Sequence, residues 1–429
     1  MATLEEMRDL AGKLDEQDPL RGFRDRFVLP PGRIYMDGNS LGLPLRESIE
    51  NVKRVLEEWK SLNIDGWLEG HIPWFNMPEE MGKRMAPLVG ALPEEVVMSG
   101  STTSNLHSLV GTFFRPEGAR KRILADELNF PSDLYALASQ VRLKGGDPAT
   151  DLVLARSRDG HSLDEEDIIA LMDETVSLVL LPSVLYRSGQ LLDMERLTRA
   201  AHEKGIVIGF DCAHSAGSVP HRLHDWGVDF AFWCSYKHLN GGPGSPAFLY
   251  INERHFGREP GLAGWFGYVK NRQFDMSLDF VHARSAGGWQ LGTPSVLSAA
   301  TLEAALQIQE EATIGKIRDK SLRLTDFLIE LVDVFLSGEP YGFSIASPRD
   351  HDKRGGHLAI EHPREAWRIC RALKGRGIIP DFRPPRVIRV APVALYNSFE
   401  EVWAVASALK EIIDTGEFEK FPTERSAVS

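Results

Sequence analysis

Two charged side chains stand just beyond apolar, strand-like runs, and their types suit carbonyl chemistry. Asp211 follows Val207-Ile208-Gly209-Phe210, and Lys237 follows Phe230-Ala231-Phe232-Trp233-Cys234-Ser235-Tyr236. A lysine delivered into a dry site has a lowered pKa, which imine formation requires. A carboxylate at a buried strand end is costly unless it meets a cation or a protonated heterocycle. Taken singly, each is more often a solvated element end, by roughly four to one.

A third feature changes those odds. Val96-Val97-Met98 reads as a strand, Ser99-Gly100-Ser101-Thr102-Thr103 as a capped turn, and Leu106, Leu109, Val110 and Phe113 as the apolar face of a helix. The N–H groups opening such a helix suit a dianionic phosphate. A carboxylate for a pyridine nitrogen, a lysine for an aldehyde and a cradle for a phosphate are the three anchors of pyridoxal phosphate.

The elements that must position these residues follow from the same grammar. From about residue 96 to 250, short apolar runs alternate with helical periodicity, the signature of βαβ units and a mainly parallel sheet buried on both faces. Strands are expected at Arg122 to Ala125, Val176 to Leu181, Gly205 to Phe210 and Val228 to Trp233, with helices from about Ser132 and Asp193. In such a sheet the ligand crevice lies beyond the carboxyl ends of the strands, which is where Asp211, His214, Tyr236 and Lys237 fall. Past Pro294 the pattern predicts one long helix over roughly Val296 to Leu336, then a smaller α+β region. Near the start, Ile34-Tyr35-Met36 reads as a strand breaking into a loop at Asp37.

Composition narrows the partners. The 429 residues carry 49 Lys plus Arg against 61 Asp plus Glu, a net charge of −12 that offers no global field for nucleic acid or anionic lipid. The three cysteines, Cys212, Cys234 and Cys370, sit in apolar stretches, so neither a disulfide framework nor a cysteine zinc site is expected. The start lacks a basic segment followed by an apolar one, and the most apolar stretch, Val176 to Leu185, is interrupted by Ser177, Pro182 and Ser183. A cytoplasmic protein with no metal, membrane or nucleic-acid partner is the expectation.

The residues also carry a resemblance. Asp211-Cys212-Ala213-His214 with Ser235-Tyr236-Lys237-His238 is similar to fold-type-I pyridoxal-phosphate enzymes of the class-V aminotransferase group. Six blocks in consistent order resemble the kynureninase family: Gly38 to Gly42, Phe130 to Asp133, His224 to Phe230, Trp233 to Lys237, Gly264 to Gly267 and Arg389 to Ser398. The resemblance implies an α/β fold with a large domain built on a mainly parallel seven-stranded sheet covered by helices, plus a smaller α+β C-terminal domain. It divides the chain into an N-terminal segment over 1–60 that packs with the small domain and the active site, a cofactor domain over 61–310 and a small domain over 311–429.

Carried over position by position, the resemblance makes Lys237 the residue that bonds the cofactor aldehyde and then moves the Cα proton. Asp211 pairs with the pyridine nitrogen, His214 sits beside it, and Phe130, with Pro131 next to it, faces the ring. Thr102, Thr103, Ser132, Asp133 and Tyr236 become further cofactor contacts, and Tyr236 is also a proton relay. Trp265 and Thr293 reach the phosphate, from the second subunit of a homodimer. Arg389, flanked by Val387, Ile388 and Val390, binds the substrate α-carboxylate, while His71 and Ser40 face its aromatic amine. Thr293 stands where some members carry Asn, and Pro182 where some carry Ser. The implied reaction is hydrolysis of L-kynurenine, or 3-hydroxy-L-kynurenine, to the anthranilate and L-alanine.

Three other readings of this fold were open to the sequence. A cysteine desulfurase needs a thiol on a mobile loop, but Cys370 lies in a helical pattern. A non-catalytic homologue should lose Lys237 or Arg389, and both are present. A transcriptional regulator should add a basic helix-turn-helix, for which the flanks are too short.

Overall fold

A computed structural model describes residues 3–424; residues 1, 2 and 425–429, at the outer ends of the expected first and last segments, lie outside the described residues. Early in the chain comes β1 (Ile34–Tyr35). The main sheet follows as β2 (Val96–Met98), β3 (Arg122–Asp126), β4 (Leu152–Ala155), β5 (Val176–Pro182), β6 (Val207–Asp211), β7 (Phe230–Trp233) and β8 (Phe248–Ile251). After it come β9 (Ser344–Ile345), β10 (Leu358–Glu361), β11 (Ile378–Ile379), β12 (Asp381–Arg383) and β13 (Val387–Val390).

The seven-stranded sheet has the order β2-β8-β7-β6-β5-β3-β4, and β8 alone runs antiparallel to its neighbours β7 and β2. Its central strands are apolar on both faces because helices cover both sides, so all four residues of β7 are buried. The helix Thr102–Phe113 begins where the Ser101 side chain and the Ser104 side chain each bond the other's backbone N–H, at 3.3 and 2.7 Å. Sequence periodicity does not single out β4 or β8.

The pattern past Pro294 is corrected by the structure. Instead of one helix there are three, Val296–Ala299, Leu302–Ala312 and Ile314–Phe335. Thr313 separates the last two at φ +63°, a left-handed value that no helix interior accepts. The break lets one apolar pattern serve two cores: Leu302 and Leu306 pack under the main sheet, whereas Leu324, Leu328, Leu331 and Val332 pack with β10 and β13.

The second core lies beneath the antiparallel sheet β12-β13-β10-β9. The N-terminal segment is tied into it. Strand β1 pairs in parallel with β11, and the Asp15 carboxylate accepts from the N–H groups of Phe399 and Glu400 at the start of the helix Phe399–Asp414, at 2.7 and 3.0 Å. Among the described residues, no helix is long and apolar enough to cross a membrane.

One buried carboxylate clamps the edge of the main sheet opposite the ligand crevice. Asp229, 3% exposed, accepts from the Ile208 N–H at 2.9 Å and meets His202 at 3.0 Å, His255 at 2.7 Å and Arg254. Burial pushes its pKa up, but these donors outweigh burial and hold the carboxyl well below the usual range. Its contribution to stability is therefore complete above the ordinary carboxylate pKa and is lost as pH falls through the lower folded value. Asp229→Ala is expected to cost about 4 kcal/mol, read as a lower urea midpoint at neutral pH.

Candidate active site

The crevice opens where β5, β6 and β7 end. Parallel pairing sets Pro182 beside Asp211 and Asp211 beside Phe232, so the turn leaving β7 carries Tyr236 and Lys237 back over the end of β6. The resulting cleft, about 270 Å³, is lined by Thr102, Thr103, Phe130, Ser132, Asp133, Asp211, His214, Tyr236 and Lys237, together with residues the sequence did not single out, such as Val184, Tyr186 and Ser245.

Two helix starts meet at one end of the cleft. Thr103 Oγ1 and Ser132 Oγ are 3.1 Å apart, tying the helix Thr102–Phe113 to the helix Pro131–Leu143. Pro131 is the first residue of the second helix, where its fixed φ helps nucleation, and its side chain does not line the cleft. Just before it, Phe130 is 45% exposed and meets Tyr186 edge-on at 5.4 Å, leaving a ring face turned to the opening.

The opposite end is acidic and dry. Asp211 is buried, with Oδ1 accepting from the Ala213 N–H at 2.8 Å. Asp133, in the first turn of its helix, faces Asp211 from the other wall. Burial first, and then the Asp211 charge, push the Asp133 carboxyl well up, and burial pushes Asp211 up too, against the pull of Lys237. Two such carboxyls share negative charge poorly, so the pair calls for a proton or a cationic N–H between its oxygens.

Lys237 Nζ lies 3.0 Å from His214 Nε2. Burial, and then the Lys237 and Arg389 charges, hold His214 well below its ordinary pKa, so the imidazole is neutral and accepts from the ammonium. Burial pushes the Tyr236 phenol up, so it stays protonated and acts as a donor.

Arg389, only 1% exposed, lies on β13 behind the Tyr186 wall of the cleft. Its Nη1 donates to the Tyr186 carbonyl at 2.7 Å, its Nη2 donates to Ser40 Oγ at 2.9 Å, and it is ion-paired with Asp381. Ser40 arrives on the N-terminal loop, which lies against the lysine turn: the Gly42 N–H donates to the Tyr236 carbonyl at 2.7 Å. A Cβ on Gly42 would sit 2.5 Å from the Lys237 carbonyl oxygen, so only glycine permits this approach.

Three expected site residues lie elsewhere in the single chain. His71 is exposed and 3.3 Å from Glu303; Trp265 is 42% exposed against Phe274; Thr293 lines a separate chamber of about 320 Å³ that shares Gly100 and Ser101 with the cleft.

The cleft fits the cofactor that the resemblance implies. Asp133 Oδ2 and His214 Nδ1 are buried without partners, which a bound polar ligand would relieve. Phe130 offers a ring face, Lys237 an amine, and the Ser101 to Thr103 turn a set of N–H and hydroxyl donors.

Comparison with known proteins decides the family. Residues 317–409 match the model of the kynureninase C-terminal domain. A kynureninase from Geobacillus thermodenitrificans is 55% identical over 426 residues, 99% of each chain, and one from Shouchella clausii is 55% identical over 422 residues, 98% of each. The chain belongs to the kynureninase family.

Solved structures with this kynureninase fold include cysteine desulfurases at low identity. One from Thermococcus onnurineus is 22% identical with a TM-score of 0.76, and one from Escherichia coli is 18% identical with a TM-score of 0.77; each covers 92% of this chain and 98% of its own. That likeness is one of fold. The thiols here are not poised for sulfur chemistry: burial pushes Cys212 and Cys370 up to about 12, and Cys370 is enclosed in the helix Ala366–Gly375.

Proposed function

We propose that this kynureninase-family chain hydrolyses L-kynurenine to anthranilate and L-alanine with pyridoxal phosphate held in the cleft between β5, β6 and β7. The observation that carries the reading is the convergence of Lys237 and the Asp211–Asp133 pair on one crevice, with Arg389 bonded to the carbonyl of Tyr186 in its wall. Bound there, pyridoxal phosphate supplies the electron sink that makes the substrate Cα acidic and the Cβ–Cγ bond cleavable.

The chain's own residues do the rest. Arg389 holds the α-carboxylate with a guanidinium whose direction is set by Tyr186 and Ser40. Lys237 Nζ takes the proton from Cα and later returns it, and neutral His214 beside it accepts a hydrogen bond without competing as an acid. Asp211, faced by Asp133, would keep a proton on the pyridine nitrogen. Phe130 covers the ring. Tyr236, as a protonated phenol, would donate to the γ-oxygen while water adds its hydroxyl at the γ-carbon; the electron pair of the broken bond stays with Cβ, which takes up the proton that water gives up. In 3-hydroxy-L-kynurenine the extra hydroxyl is on the aromatic ring, remote from Arg389 and Lys237, so the same steps serve it.

The half-exposed Trp265, the exposed His71 and Thr293, all outside the cleft, support a homodimer in which a second copy completes the phosphate and aromatic ends of the site. The two cores support a cofactor-binding body over 61–310 and a smaller body over 311–429, bridged by 1–60. Three buried, unpaired thiols support a reducing, cytoplasmic location.

The test is to load the purified protein with pyridoxal phosphate, add L-kynurenine and follow anthranilate fluorescence and alanine. Equal amounts of both are expected; a bound cofactor without anthranilate would overturn the reading. Asp211→Asn is expected to lower kcat by about 10²- to 10³-fold while cofactor is still bound, because a neutral amide no longer favours the protonated ring.

A further inference from the structure

The guanidinium assigned to the substrate is already in an ionic cluster. Asp381 on β12 and Arg389 on β13 are cross-strand partners and form an ion pair, and Arg383 meets the same Asp381 Oδ2 at 2.9 Å. Ser40 Oγ lies between them, 2.9 Å from Arg389 Nη2 and 3.4 Å from Asp381 Oδ2. Asp37, three residues before Ser40 on the same loop, closes the cluster. It bridges to Ala391 beside β13, and its Oδ1 is buried without a partner.

The charges that face Asp37 come from every element around it. Asp381, Arg383 and Arg389 come from the sheet, and Ser40 from its own loop. Tyr35 of β1, Tyr396 of the loop after β13 and Cys370 of the helix Ala366–Gly375 also face it, and burial keeps all three protonated. With both carboxylates ionised, two anions balance two cations. A substrate carboxylate brings a third anion onto this buried cluster, while the substrate's α-amine is engaged at the cofactor and not at the cluster, so protonation of one resident carboxyl restores the balance.

We propose that Asp37 is a proton-linked positioning residue, and that an α-carboxylate docks on Arg389 together with one proton taken up at the Asp37 carboxyl. The inference rests on the reading of Arg389 as the carboxylate site and adds the residue that adjusts the charge of that site. Burial, and then the Asp381 charge, push the free Asp37 carboxyl up to about 6, so at neutral pH it is mostly ionised before substrate arrives and regains its proton on binding. Binding of a carboxylate then weakens as pH rises above about 6, by up to about tenfold per pH unit, until the pH passes the raised value in the complex. Asp381 is the carboxylate paired with both arginines, and Asp37 is paired with neither.

The test uses the pyridoxal-phosphate-loaded protein and the desamino analogue of kynurenine, which keeps the ketone, the aromatic amine and the carboxylate but lacks the α-amine that reacts with the cofactor. Calorimetry near neutral pH, in two buffers of different ionisation enthalpy, counts the protons taken up on binding. The wild-type protein is expected to take up more than half a proton with the acid and close to none with the corresponding primary amide. Asp37→Asn is expected to abolish the uptake and to flatten the several-fold fall in affinity between about pH 6 and 8. No uptake by the wild-type protein, a result that needs no variant, overturns the proposal, as does the same uptake in Asp37→Asn. Arg389→Gln separates the two readings: if it binds the acid as well as wild type does, the carboxylate assignment itself fails, whereas lost binding together with an unchanged proton count in Asp37→Asn removes only the linkage.

Discussion

Lys237→Ala is expected to fold, to bind pyridoxal phosphate weakly and to turn over L-kynurenine at least about 10⁴-fold more slowly than wild type, the scale of a lost positioned proton-transfer group. Lys237 Nζ is the only amine among the residues lining the cleft, and its neighbour His214 cannot take over, because burial and the nearby cations keep that imidazole from holding a proton near neutral pH. The absorbance of the lysine-bound cofactor should vanish with the activity. Small primary amines added to the solution should restore part of the proton transfer, since the cavity left by the side chain opens onto the cleft. Retention of substantial turnover would remove Lys237 from the reaction.

The second large effect is expected at Arg389. Truncation to alanine would remove the proposed charge-assisted contact to the α-carboxylate, worth about 3 kcal/mol, so KM for L-kynurenine should rise by about 100-fold with a smaller change in kcat. Lysine should not rescue it. One ammonium cannot reach the Tyr186 carbonyl, Ser40 Oγ and the substrate in the directions that the planar guanidinium now serves. The variant also leaves Asp381 with Arg383 as its remaining cation, so a drop in Tm is expected alongside the kinetic loss, and a Tm measurement on the same preparation distinguishes the two.

Much of the candidate site was legible because strand ends carry positional meaning. Asp211 and Lys237 are recognisable from the apolar runs before them, and the Ser101 to Thr103 turn from the helix after it. Arg389 was singled out by its apolar flanks, which are buried in the structure. What stayed hidden depends on pairing across distance. Asp381 acquires its meaning from the antiparallel register that sets it opposite Arg389, and the facing of Asp133 and Asp211 depends on how the helix Pro131–Leu143 lies on the sheet. The single long helix expected past Pro294 failed for a related reason: periodicity registers an apolar face but not that the face changes partner at Thr313. His71, Trp265 and Thr293 remain outside the cleft in one chain, and no reading of spacing within that chain brings them in.

The N-terminal loop that lies on the lysine turn has a consequence for how the protein is made. Ser40 and Arg389 are 349 residues apart in sequence, and the Trp403 indole, which donates to the Leu4 carbonyl, closes a span of 399. A ribosome must therefore release almost the entire polypeptide before its first forty residues find their seats. Until then the main sheet can form around its own local βαβ contacts while the carboxylate end of the site stays open. Contacts of such long sequence separation slow the final step of folding, so the nascent chain is expected to acquire its cofactor cleft before it can recognise a substrate.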